Sequence, residues 1–358
     1  MTGILNLPEA FRLRYEVLIG TGGIGSGTFF QLDGDHTLGR EESRSGRFLD
    51  RRDYCKLHIV CHYVKALLGA GFPVLPIGRV GADEPGRRLL EEMAEAGLDL
   101  RYVRALPGRS TLYSFCFLYP DGTGGNLTTA DSACAAVDAD CVEEAAPDFE
   151  TWSGRGIALA VPEVPLAARR RLLQLAGRHG FLRAASFTLG EMAAVRSEGL
   201  LGLVDLLAVN LEEALAASGT EEGPLPAARR AGGPAAAALL AESAAQDLAA
   251  AYPALELSIT AGALGSWSWD GRALAHVPAV PVPVQTTGGA GDAHLAGLLA
   301  GLAAGLSLGE AQRLATLVAA ASVTSPHTIH KGLSRTELRA LAAAWPDPPS
   351  PVLSSLLA

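Results

Sequence analysis

The chain has 358 residues, a formal net charge of −9 and 49% hydrophobic residues, enough for a large buried core and too many for a disordered chain. The acidic balance argues against non-specific nucleic-acid binding, and no apolar run reaches membrane-spanning length. Five scattered cysteines (Cys55, Cys61, Cys116, Cys134 and Cys141) without Cys-x-x-Cys spacing, and a Met1–Arg14 stretch without a signal-peptide core, point to reduced thiols and a cytoplasmic setting.

In chain order, Tyr15–Gly20 reads as a first strand and Thr28–Leu32 as a second. Tyr63–Leu68 is helical in character, Val74–Ile77 is a strand, and Arg87–Ala96 is an amphipathic helix ended by Gly97. Leu112–Tyr119 reads as a strand followed by a turn over Pro120–Gly125. Downstream, strands at Gly156–Val161, Leu203–Val209, Leu255–Thr260 and Ala279–Val284 alternate with helices at Leu166–Arg178, Pro234–Tyr252, Ala293–Ala304 and Leu308–Ser322. That alternation implies a largely parallel sheet covered on both faces. Thr220–Pro234 reads as a variable loop, and Pro346–Pro351 opens a mobile tail.

The most informative stretch is Thr287-Gly288-Gly289-Ala290-Gly291-Asp292, which follows the Ala279–Val284 run and opens into an Ala/Leu/Gly helix. Gly289, Ala290 and Gly291 let backbone N–H groups approach an anion at a helix N-terminus. Asp292, at the same helix start, is placed to take a proton from a hydroxyl beside a bound phosphate. Taken alone, the stretch also fits a plain strand–turn–helix junction with an acid at the helix start.

This turn resembles the Asp-Thr-x-Gly-Ala-Gly-Asp signature of the PfkB/ribokinase family of carbohydrate kinases. Four further segments match in order: Ile77–Gly86 (GxVGxDxxG), Thr128–Val137 (GANAAL, with Ser132 and Cys134 in place of Gly and Asn), Asp205–Ala214 (NxxE, through Asn210 and Glu213) and Ile259–Ser266 (TxGxxG). The resemblance implies an α/β, ribokinase-like three-layer sandwich with a mostly parallel central sheet. Residues 1–345 would form the kinase domain, with a small β-lid from about 28–53 and 111–119, and 346–358 the tail. It implies ATP and Mg²⁺ as cofactors and Asp292 as the general base. Gly289, Ala290 and Gly291 would be the anion hole, with Thr287 beside it. Asn210 and Glu213 would order Mg²⁺ and phosphate through water, and Thr260, Gly262 and Gly265 would line the nucleotide pocket, closed by the segment near Ser325 and His327. The residues themselves leave Asn210 and Glu213 open as a helix cap and first-turn acid, and Thr260–Gly265 as an ordinary turn. The lid would close over the acceptor and could mediate a homodimer.

The match departs from the family at Thr286, usually Asp, and at His294, usually Phe. The GGxxxN helix start has no counterpart in Leu57–His62, and the family's early Asp none in Thr21–Gly27. The phosphoryl machinery matches, and the acceptor pocket does not. Gly20–Gly25 fits GxGxxG formally, but the following residues have β and turn character where a dinucleotide fold needs a helix. Gly25 is better read as backbone wall against the acceptor. His58 and His62, spaced i, i+4, could share a metal but lack further ligands, so packing with a polar contact to substrate is favoured. There is no P-loop. The Arg-rich run His36–Lys56 suggests an anionic acceptor held by some of Arg40, Arg44, Arg51 and Lys56, although such runs usually form solvated faces.

The expected function is therefore ATP-dependent phosphorylation of a hydroxyl on a sugar or sugar-like molecule. The alternatives are a nucleoside kinase on the same fold, or a nucleotide- or sugar-binding regulatory protein without turnover.

Overall fold

The computed structural model describes all residues except 1–2, 9–11, 122, 221–232 and 348. Most of the expected Thr220–Pro234 loop lies outside the described residues. In chain order the strands are β1 Val17–Thr21, β2 Gly25–Leu32, β3 Gly46–Tyr54, β4 Val74–Gly81, β5 Tyr102–Leu106, β6 Leu112–Leu118, β7 Gly124–Thr128, β8 Gly156–Ala160, β9 Leu182–Ala185, β10 Leu206–Asn210, β11 Glu256–Thr260, β12 Ser266–Trp269 and β13 Leu274–Val277. The helices are α1 Lys56–Leu68, α2 Glu84–Glu95, α3 Ala139–Glu143, α4 Ala146–Thr151, α5 Leu166–Arg178, α6 Met192–Ser197, α7 Leu211–Ser218, α8 Gly233–Ala251, α9 Ala290–Ala303, α10 Leu308–Val323, α11 Arg335–Ala344 and α12 Pro351–Leu357.

Nine strands form one sheet in the order β13-β12-β11-β10-β9-β8-β1-β4-β5. Its pairs are parallel from β5 to β11 and antiparallel at β11–β12–β13. The central strands are apolar on both faces, because successive side chains of a strand point to opposite sides and both sides are covered. Leu18, Ile157, Leu159 and Leu206 pack with α1, α9 and α10. Their neighbours Val17, Ile19, Ala158 and Leu207 pack with α5, α7 and α8. This is the three-layer α/β sandwich expected from the sequence. Small residues set the closest helix pair: a Cβ at Gly297 of α9 would lie 2.7 Å from Ala315 Cα of α10.

The second sheet has the order β3-β2-β6-β7 and runs wider than the expected lid, over 25–32, 46–54, 112–118 and 124–128. A carboxylate ties it to the large sheet. Asp83 caps α2 through Gly86 N–H and also accepts the Thr111 N–H, at 2.9 and 2.8 Å, where the chain turns from β5 into β6. The matched Ile77–Gly86 segment thus anchors the small sheet.

Two expectations need correction. Ala279–Val284 is not a strand. Pro278, Pro281 and Pro283 lack N–H donors and cannot sustain a ladder, so the strand before the Thr287–Asp292 turn is Leu274–Val277. The chain end is not a free tail. Ser350 caps α12, and Leu353, Leu356 and Leu357 are buried in the core shared with α9 and α10. Leu353 has no exposed surface, so Leu353→Ala is expected to lower stability by about 3 kcal/mol, read as a shift of the urea midpoint at unchanged slope.

Candidate active site

The strand order reverses direction between β1 and β8, and open α/β sheets bind ligands beyond the carboxyl ends of strands at such a point. Here the glycine run after β1 meets the loop after β8. Gly23 N–H donates to the Pro162 carbonyl at 3.0 Å, and a Cβ at Gly23 would lie 2.2 Å from Glu163 Oε2. Bare backbone is therefore required at Gly23, by close approach of an acid rather than of a dinucleotide.

Glu163 has φ of 78°, the only non-glycine residue with positive φ among the described residues. Holding an ordinary side chain there costs about 1–3 kcal/mol. What the strain secures is a contact. Glu163 Oε2 accepts the Lys56 N–H at 3.1 Å, capping α1 from outside, since the N-cap residue Cys55 makes no side-chain bond.

Lys56, the first residue of α1, carries its ammonium to within 3.9 Å of Asp292 Oδ1. Asp292 lies in the first turn of α9, whose N-cap Gly289 takes the left-handed conformation, φ 76°. A Cβ there would sit 2.9 Å from the Thr328 carbonyl, so glycine is needed for both shape and space. Burial raises the Asp292 carboxyl above its ordinary range and Lys56 opposes that rise; Asp292 is in turn the main cause that raises Lys56. Gly289 and Gly291 border the cavity in front of this turn, while the Ala290 N–H is turned to the Thr287 carbonyl at 3.3 Å.

The cavity is about 170 Å³ and also touches Lys56, Asn210, Glu213, Thr260 and Asp292, drawn from the ends of β10 and β11 and the starts of α1, α7 and α9. Asn210 and Glu213 form a reciprocal cap: Asn210 Oδ1 accepts the Glu213 N–H and Glu213 Oε2 accepts the Asn210 N–H, both at 2.9 Å. The cap and the cavity position hold together, so the two readings of this pair are not exclusive. A second, more apolar groove of about 380 Å³ shares Asn210 and Thr260 and adds Gly262, Leu264, Ala237 and Leu240.

Other expected residues lie elsewhere. Gly265 is not on either cavity; its φ of 91° serves a tight turn where a Cβ would lie 2.3 Å from the Val277 carbonyl. Thr287 is exposed at the turn's outer edge. His327 lies against the small sheet, its Nδ1 accepting the Arg52 N–H at 3.0 Å, with Ser325 Oγ bonded to its own N–H. Gly25 is a strand residue packed on Leu112 and Cys55. His58 is fully buried beside Tyr54, with ring centroids 4.9 Å apart, and its pKa is pushed down to about 3 by burial; His62 is lowered to about 4 by the same cause. No group of metal-ligating side chains occurs among the described residues. Arg44 is held by Glu42 and by the His36 carbonyl, and Arg40 and Arg51 line neither cavity, so Lys56 is the one cation of that set at the site. His294 borders the cavity as a buried imidazole, lowered to about 4 by desolvation.

Sequence reasoning passed over Glu163 and Asp53. Asp53, at the end of β3, is buried, and desolvation is the main cause that raises its carboxyl, with Asp292 a further one. Its signal was masked by the surrounding arginines. Glu163 stands three residues beyond the last residue of β8, between two prolines, at a carboxyl end where acids are worth marking.

Structures of known proteins share this fold. The ribokinase of Cryptococcus neoformans var. grubii serotype A in complex with ADP is 19% identical, with a TM-score of 0.70 over 91% of this chain and 98% of that one. The adenosine kinase of Sinorhizobium meliloti is 20% identical, with a TM-score of 0.69 over 92% and 99%. The nucleoside kinase of Burkholderia thailandensis in complex with inosine is 18% identical, with a TM-score of 0.70 over 93% and 100%. The model of the pfkB family of carbohydrate kinases matches residues 61–335, most of the chain, which places this protein in that family and makes it a carbohydrate kinase.

Proposed function

We propose that the protein transfers the γ-phosphoryl group of ATP to a hydroxyl of a sugar-like acceptor lying between Glu163, Lys56 and Asp292. The observation that carries this reading is the Lys56–Asp292 pair, 3.9 Å apart, at the N-terminus of α9 and beside a cavity that reaches Asn210 and Thr260. The acceptor oxygen attacks the γ-phosphorus, its proton passes to an Asp292 carboxylate oxygen, and the bond to the β–γ bridging oxygen breaks, releasing ADP. Lys56 opposes the rise that burial imposes on the Asp292 carboxyl, favouring the ionised form a base needs. Amides at the start of α9 face the charge on the transferring group, and being preorganised they need no rearrangement. The groove over Gly262 and Leu264 suits the nucleotide's base.

With one Glu213 oxygen and the Asn210 oxygen engaged in the helix cap, this donor set would suit Mg²⁺ held through water. Bound there, it would neutralise phosphate charge. Five free thiols suit a reducing, cytoplasmic compartment. The outer face of the small sheet carries packed Phe30, Phe48 and Phe115, with Phe48 67% exposed, a surface suited to a homodimer.

Asp292→Asn is expected to keep nucleotide affinity and to lose about 10²–10⁴-fold in acceptor-dependent ADP release; near-normal kcat would remove Asp292 from the role of base. Nucleotide binding with no ADP release for any sugar or nucleoside would instead favour a binding protein. A second expectation concerns Glu163, whose carboxyl burial pushes up to about 7 from an ordinary 4.5. Between those values the folded chain keeps a proton that the unfolded chain has lost, so stability falls as pH rises through that window. Glu163→Gln removes its share of that slope. It should match the wild type at pH 4 and exceed it by about 3 kcal/mol at pH 8 in denaturant titrations.

A further inference from the structure

We infer that Asp53 reads the acceptor, and that the acceptor is a polyol without negative charge, either neutral or amine-bearing. This deepens the kinase reading and concerns the same site. Asp53 is 7% exposed on β3, paired with Gly27 of β2, which is in register with Ser114 of β6. A Cβ at Gly27 would lie 2.6 Å from Asp53 Oδ2 and 2.8 Å from Ser114 Cβ. The bare position between them gives the carboxylate room above the sheet. Cys116 Sγ donates to Asp53 Oδ2 at 3.5 Å, and Ser114 Oγ donates to Asn126 Oδ1 at 2.6 Å. Strands β3, β6 and β7 thus present polar groups on one face. That face also carries Phe29, packed at Gly288 of the catalytic turn, where a Cβ would meet Phe29 Cζ at 3.1 Å. The alternate residues Phe30, Phe48 and Phe115 form the aromatic outer face.

Charge decides the ligand class. Asp292 and Glu213 border one cavity with Lys56, Glu163 accepts the Lys56 N–H at 3.1 Å, and Asp53 lies three residues before Lys56, so four carboxyls gather around the start of α1. Lys56 stands among them and is already beside Asp292. Of the arginines on this segment, Arg44 is held by Glu42, Arg47 by Gln31 and Arg52 by Glu92, and Arg51 lines neither cavity. A carboxylate or phosphate on the acceptor would meet like charge in a poorly solvated space, whereas a hydroxyl or ammonium meets hydrogen-bond acceptors. The family's early Asp has no counterpart after β1, and the strand paired with β2 supplies a carboxylate instead.

The test uses ribose, myo-inositol, glucosamine, gluconate and ribose 5-phosphate with wild type and Asp53→Asn. It reads ADP release with ATP, and the Tm shift each compound gives in the presence of ADP. Wild type is expected to act on neutral or amine-bearing acceptors at least tenfold better in kcat/KM than on gluconate or ribose 5-phosphate. Asp53→Asn should raise KM for the best acceptor at least tenfold, about the loss of one hydrogen bond to a charged group, with kcat less affected and ADP affinity unchanged. It should also narrow the gap against the anions. If that variant does not fold, Ser114→Ala should raise KM in the same direction. Preference for an anionic acceptor, or an unchanged KM in either folded variant, overturns the inference. Absence of ADP release with every compound would count against the kinase reading alone. The Tm arm then decides: shifts by uncharged or amine-bearing compounds that Asp53→Asn loses support the role of Asp53, and equal or absent shifts refute it.

Discussion

Two helices begin in one small volume and turn their positive ends toward it. α1 starts at Lys56 and α9 at Ala290; the first amides of α1 are taken by Glu163 and the Gly23 carbonyl, and its ammonium stands in a largely buried space before the first turn of α9. Helix N-termini favour negative charge, and a buried positive site without anions would be costly. Asp292 answers that demand 3.9 Å from the lysine, while Glu163 accepts the N–H at the start of α1. Catalytic geometry and local stability are thus two outcomes of one electrostatic arrangement.

Packing fixes where those helix ends fall. Gly297 and Gly301 let α9 lie directly on Ala315 and Ala311 of α10. A helix held that closely cannot slide, and its first turn stays aligned with the ends of β10 and β11. The small sheet is positioned from the other side. Asp83 joins the start of α2 to Thr111, and Thr328 Oγ1 accepts the Tyr54 N–H at 3.0 Å, tying β3 to the segment after α10. Asp53 lies one residue before that bond, so its place is set by backbone anchors at both ends of the sheet.

The sequence made the Gly289–Asp292, Asn210–Glu213 and Thr260 part of the site legible and left Asp53 and Glu163 obscure, for physical reasons. Gly289–Asp292, Asn210–Glu213 and Thr260 announce themselves because their chemistry is local: each is a strand end, a turn and a helix start within a few residues. Asp53 and Glu163 act through partners far away in the chain, and a carboxylate among five arginines or between two prolines carries no local mark. The Arg-rich run looked like an anion site because charge composition ignores strand alternation; once 46–54 pairs as β3, Arg47 bonds to Gln31, Arg52 to Glu92, and Asp53 is the buried member. Ala279–Val284 read as a strand by its valines, and its prolines decided otherwise. His58 and His62 had metal-like spacing, yet the i, i+4 face they share is turned into the core.

The left-handed backbone at Glu163 has an evolutionary implication. A glycine there would relieve the unfavourable φ, so mutation followed by selection for stability alone pushes against the acid at that position. Persistence of a glutamate at such a place requires selection for what its carboxylate does. Position 163 is therefore a place where drift toward a merely stable fold and retention of the carboxylate's contact with α1 would leave opposite residues in descendant sequences.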